Sequence, residues 1–167
     1  MLLIKLFWDI CLFKKGPQDI PPSRLLLSFA TAAYLLVGLA LLMLENTSWD
    51  ALLQLLAEFG MLIGFLGATL KAAGLTSRFL KSSIAMLGCD ALISSFGVPL
   101  LAALMASSLG GAPFLLLILL MLWHLAVVAH ILKNALSCQA WIGWGLAVVY
   151  ILGSYQVMML LFGPPPS

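Results

Sequence analysis

Ala51 to Leu70, ALLQLLAEFGMLIGFLGATL, decides how this chain folds. It is 20 residues long, about the length that crosses a hydrocarbon core, yet it carries Gln54 and Glu58 in its first half. Gly60, Gly64 and Ala68 recur every fourth residue, a spacing that lets helices approach closely in lipid and favours a spanning reading. If the segment spans, the basic loop from Lys71 to Ser83 lies on the same side as the amino-terminal basic residues.

Working outward, four further apolar segments run at about 24–44, 84–106, 113–132 and 140–162. With 51–70 they define an all-α, polytopic membrane protein of five transmembrane helices. Every basic side chain then falls on one side. Lys5, Lys14, Lys15 and Arg24 precede the first span, Lys71, Arg78 and Lys81 separate the second from the third, and Lys133 follows the fourth. The opposite connections, Glu45 to Asp50 and Ser107 to Ala112, contain neither Lys nor Arg. This positive-inside asymmetry predicts a cytoplasmic amino terminus and an outside carboxyl terminus.

Composition agrees. The 167 residues are 63% hydrophobic and 8% charged, against roughly a quarter charged in soluble domains. Mean hydropathy is +1.16. A net charge of +2 is too small to suggest nucleic-acid binding, and the basic residues sit where insertion and anionic inner-leaflet lipid favour them. Cys11, Cys89 and Cys138 match no zinc spacing, fall toward the cytoplasmic side and are read as packing residues.

Residues 1–15 read as an amphipathic interfacial helix. Leu3, Leu6, Phe7, Ile10 and Phe13 form its apolar stripe, with Trp8 and Lys5 expected at headgroup level. A cleaved signal peptide would carry its basic residues first, whereas Lys14 and Lys15 follow the apolar part. Residues 16–23 form a Pro-rich linker in which Ser23 can cap the next helix, residues 24–162 the five-helix domain, and 163–167 a Pro-rich tail. Pro99 predicts a kink in the third span, because it cannot donate to the carbonyl of Ser95.

Three ionisable groups fall deep within the spans: Glu58, Asp90 and His124. At about 1.5 Å per residue, Glu58 and His124 lie roughly 12 and 16 Å from the outer ends of their helices, and Asp90 about 10 Å from its inner end. A charged carboxylate at mid-bilayer costs about 2.5–3.5 kcal/mol on insertion scales, so such groups turn inward and find partners. They can act as hydrogen-bonded tethers that set helix register, or as a proton or cation pathway. His124 and His130, six residues apart, fall on different helix faces and do not suggest a shared metal. His130 is expected as an interfacial residue and Trp123 as a lipid or packing residue. Tyr34, with Ser28 and Thr31, is read as a packing contact. Gly60, Gly64, Gly145 and Gly153 are the candidate helix-packing positions.

No G-x-S-x-G, H-E-x-x-H or phosphate-loop motif occurs, so no catalytic residue, metal or cofactor is expected. The plan of an amphipathic start, a Pro-containing approach from Lys14 to Arg24 and five closely spaced spans resembles the Yip-type membrane proteins. The stretch Leu122 to Ala135, with WHLAVVAHILKN inside it, adds to that likeness as a Trp-containing fourth helix running into a short basic turn. The Asp-Leu-x-Gly-Pro signature of eukaryotic members has no counterpart. The resemblance implies a bacterial-type inner-membrane protein and carries over no binding residue. Two functions are expected from the residues: a non-enzymatic scaffold or accessory subunit that associates with itself or another membrane protein, or a small transporter or proton-coupled subunit using Glu58, Asp90 and His124. Binding of anionic lipid at the inner basic loop is a third.

Overall fold

The computed structural model describes residues 2–45, 49–106 and 111–163, and for residues 2, 45, 49 and 50 the backbone alone. The middle of the acidic turn, 46–48, most of the 107–112 connection and all but the first residue of the Pro-rich tail therefore lie outside the described residues, as does the side chain of Trp49. The described residues form helices and turns, with five helices long and apolar enough to cross a membrane. In chain order the helices are α1 (Leu2–Cys11), α2 (Arg24–Glu45), α3 (Trp49–Ala72), α4 (Phe79–Met105), α5 (Ala112–Leu136) and α6 (Ala140–Phe162). Short 3-10 turns at Pro17–Asp19 and Thr76–Arg78 join α1 to α2 and α3 to α4.

Local chemistry sets several boundaries. Ser23 Oγ accepts the backbone N–H of Leu26 at 3.3 Å, capping α2 as expected. Just beyond α3 the chain reverses at Gly74, whose φ of 70° suits a residue without a Cβ. There the N–H groups of Gly74 and Leu75 close back on the carbonyls of Lys71 and Leu70, a Schellman ending. α1 and α5 end in the same way, but with Phe13 and Ser137 in the left-handed conformation. α4 continues through Pro99 as one helix and starts at Phe79, a turn and more before the expected Ile84. Of its extra residues, Ser82 and Ser83 are buried and open the covered run that continues to Cys89.

The spans close into a ring. α2 packs on α4, α4 on α5, α5 on α6, α6 on α3 and α3 back on α2. α4 is the central element, because α3 and α1 also touch it. Ser82 to Cys89 is buried without interruption, whereas a helix with one covered side would show every third or fourth residue buried. The outward faces of the other spans remain apolar and exposed, with Phe29, Leu36, Leu115, Leu119, Val149 and Leu160 among them. That is the surface a lipid-facing bundle presents.

α1 differs from the sequence expectation in its placement. Its Ile10 and Cys11 are fully buried, and Phe7 occupies the notch left by Gly88 of α4. Gly88 lies nine residues into α4, about 14 Å along it at the helical rise. Trp123 Nε1 donates to the carbonyl of Cys11 at 3.0 Å, and the Trp8 ring packs against Trp123 and Phe96 with centroids 6.1 Å from each. Trp8 thus sits beside the middle of α5, away from the basic end of the bundle. One stripe of α1 serves protein contact, while Leu3 and Phe13 of the expected apolar stripe stay exposed.

Within the chain the close helix contacts fall at other glycines. Gly60, Gly64, Gly145 and Gly153 face open space, and a Cβ added to any of them meets nothing within 4 Å. The tight crossing is at Gly143, where a Cβ would stand 2.7 Å from the Ala129 carbonyl oxygen and 2.9 Å from Lys133 Cβ. Backbone cannot move aside as a flexible side chain can. Gly143→Ala is expected to destabilise the fold by about 1–3 kcal/mol through overpacking, and Gly64→Ala to leave it nearly unchanged. Thermal unfolding of the two variants in one detergent checks the contrast.

Candidate functional site

Each span contributes one polar ring or acid to a shared region of the bundle. Asp90 of α4 and His124 of α5 meet directly, with Oδ1 3.5 Å from Nε2. Their side chains are 15% and 32% exposed respectively, so the pair is half-buried rather than sealed. Ser94, one turn along α4, donates its hydroxyl to the same Asp90 oxygen at 3.1 Å. This is the i, i+4 geometry that places both on one helix face.

Tyr34 of α2 and Tyr150 of α6 complete the surroundings. Both hydroxyls lie within electrostatic reach of Asp90 and of Glu58 on α3. Tyr34 is buried and packs its ring on Phe59, the residue after Glu58, with centroids 6.0 Å apart. Tyr150 packs on Phe65 of α3 with ring centroids 5.2 Å apart. Glu58 is half-buried. The three ionisable positions recognised from sequence therefore share one neighbourhood, and Asp90 and His124 touch.

The two tyrosines are what sequence reasoning missed. Tyr34 was expected only as packing, and Tyr150 had no distinguishing pattern around it. One usable signal existed: a phenol in an apolar span has a hydroxyl that needs a partner, as an acid does.

His130 has a separate role. Its Nε2 lies 2.8 Å from the Lys15 carbonyl oxygen, and its ring meets Phe13 edge-on at 5.3 Å. It ties the α1 exit to α5 instead of joining the Asp90 cluster. Cys11 and Cys89 are both buried, and their thiols adjoin where α1 lies on α4. Among the described residues no group of three or more His, Cys, Asp and Glu is arranged to hold a metal.

Chemically, a carboxylate beside an imidazole can share or pass a proton, and the pair can also act as a neutral or charged hydrogen-bonded tether between α4 and α5. In hydrocarbon each partner lowers the cost of the other, because an acid or imidazole left alone there is unsatisfied. The two residues should therefore be energetically coupled. In a double-mutant cycle of Asp90→Asn and His124→Gln, unfolding in detergent should reveal a coupling of about 1 kcal/mol, where independent sites would add.

No family model, curated protein or solved structure matches this chain. The geometry of the bundle is accordingly the basis for any functional reading.

Proposed function

We propose that this chain is a non-enzymatic integral membrane protein, a scaffold or accessory subunit that associates laterally with a second copy of itself or with another membrane protein. The observation that carries this reading is the outward placement of Gly60 and Gly64 on α3. Both are exposed, and neither is used in packing within the chain. Two glycines one turn apart on a lipid-facing surface form a shallow strip on which another helix backbone can come close, and in lipid such van der Waals approach drives association. Gly145 and Gly153 on the neighbouring α6 are open as well. The described connections between spans are short, so contacts to a partner would be made mainly within the membrane. The charge distribution supports a bacterial inner-membrane setting with the amino terminus cytoplasmic, and the plan of the spans is the ground for a Yip-type relationship. Gly64→Ile should fold normally and shift the protein toward monomer in lipid nanodiscs; an unchanged distribution of oligomers would count against this face.

The Asp90–His124 contact favours a second reading, a small proton- or cation-coupled subunit. Asp90 and His124 on adjacent spans, with Tyr34, Tyr150 and Glu58 within electrostatic reach, form the kind of arrangement a pathway between helices would use. In reconstituted vesicles this reading expects a pH-dependent flux that Asp90→Asn and Glu58→Gln each abolish. Vesicles carrying wild-type protein and showing no proton or alkali-cation flux would exclude it for those ions.

A further inference from the structure

At the basic end of the bundle, well away from the Asp90 cluster, a cavity of about 520 Å³ opens between the Pro17 turn, the start of α4 and the end of α5. We propose that this cavity binds a phosphate ester. Arg78, Lys81 and Lys133 all line it, and its lining contains no acidic residue. Nor does any carboxylate among the described residues pair with these three cations.

Two of the cations are held in place by neutral partners, which leaves their charge uncompensated. Arg78 Nη1 donates to the Ala135 carbonyl at 2.9 Å and to Ser137 Oγ, so the guanidinium is fixed against the end of α5. Lys81 Nζ donates to the Gln18 carbonyl at 3.0 Å and has two further N–H groups. The start of α4, a helix of 27 residues, opens at the same place, and its first N–H groups add positive potential there.

The independent sign of a ligand is Ser82. It lines the cavity, it is 0% exposed, and its hydroxyl has no hydrogen-bond partner in the protein. A buried hydroxyl without a partner costs free energy, and Ser82 shares the cavity lining with the three cations, where an anion's oxygen could accept from it. Phosphate oxygens accept from a guanidinium, from ammonium groups and from a hydroxyl together. The volume exceeds that of the phosphate alone and falls in the usual range for small-molecule sites, about 300–1,000 Å³, leaving room for the esterified group. The phosphate can belong to the headgroup of an anionic lipid or to a soluble phosphate ester, since both offer the same oxygens.

The test compares the full-length wild type with a Ser82→Ala, Lys133→Gln double variant. Neither substitution removes the Arg78 contacts, and Ser82→Ala deletes a hydroxyl that has no partner, so the variant is expected to fold. A thermal unfolding curve verifies this. Protein exchanged into phosphatidylcholine nanodiscs containing some phosphatidylglycerol is then assayed for enrichment of the anionic lipid, and protein in neutral detergent is titrated with glycerol phosphate. Wild type is expected to bind one of these probes, and the double variant to bind it at least about tenfold more weakly. Enrichment of phosphatidylglycerol without any response to glycerol phosphate identifies a lipid headgroup as the occupant. A response to glycerol phosphate identifies a soluble ester. Wild type and variant treating both probes alike overturns the proposal.

Discussion

The enclosure of α4 is the constraint on which the rest of the molecule depends. Eight consecutive residues, Ser82 to Cys89, are buried on every side. Such a run requires neighbours all around the helix, and α2, α3, α5, α1 and the Pro17 turn supply them. α1 is therefore a structural part of the bundle. Phe7 in the Gly88 notch, Ile10 and Cys11 against the bundle, and the Trp123 bond to the Cys11 carbonyl complete the wall. In lipid, where apolar surface gains little from leaving the solvent, such shape-matched contacts matter more than hydrophobicity.

The same enclosure positions the polar groups. Asp90 is the residue after the buried run, so it sits where α4 emerges from its covered half and faces α5 and His124. Ser94 follows one turn later on the same side. The ring closure through α6 and α3 then brings Tyr150 and Glu58 toward this point from the other direction, with Tyr34 completing the set from α2. Asp90 and His124 meet across α4 and α5, with the two tyrosines and Glu58 within electrostatic reach, because polar groups in a bilayer are driven toward the interior of the bundle.

Toward its basic end α4 meets a different environment. Arg78 and Lys81 flank its first turn and reach across to the α5 ending and the Pro17 turn, binding carbonyls that those chain reversals leave without helical partners. The cations thus do two things at once. They cap neighbouring backbone, and they concentrate positive charge around Ser82 in a cavity at the end of the spans. Lys133 joins them in the lining of that cavity.

Sequence alone determined the number of spans, their approximate limits and the gathering of basic residues at one end, because hydropathy over about 20 residues and the position of Lys and Arg are one-dimensional properties. It also singled out Glu58, Asp90 and His124, since a charge in an apolar run is conspicuous whatever the fold. Helix facing is a different matter. Which glycines meet a neighbour and which meet open space depends on the rotation of each helix, so Gly143 meets the α5 backbone and Gly88 the Phe7 ring while Gly60, Gly64, Gly145 and Gly153 look outward. Periodicity could not separate these, as all six lie in equally apolar surroundings. The tertiary structure likewise decided that α1 docks between α4 and α5, that Asp90 and His124 touch, and that Tyr34 and Tyr150 pack on Phe59 and Phe65 of α3. Each of these is a contact between segments far apart in the chain, set by the order in which the helices close their ring.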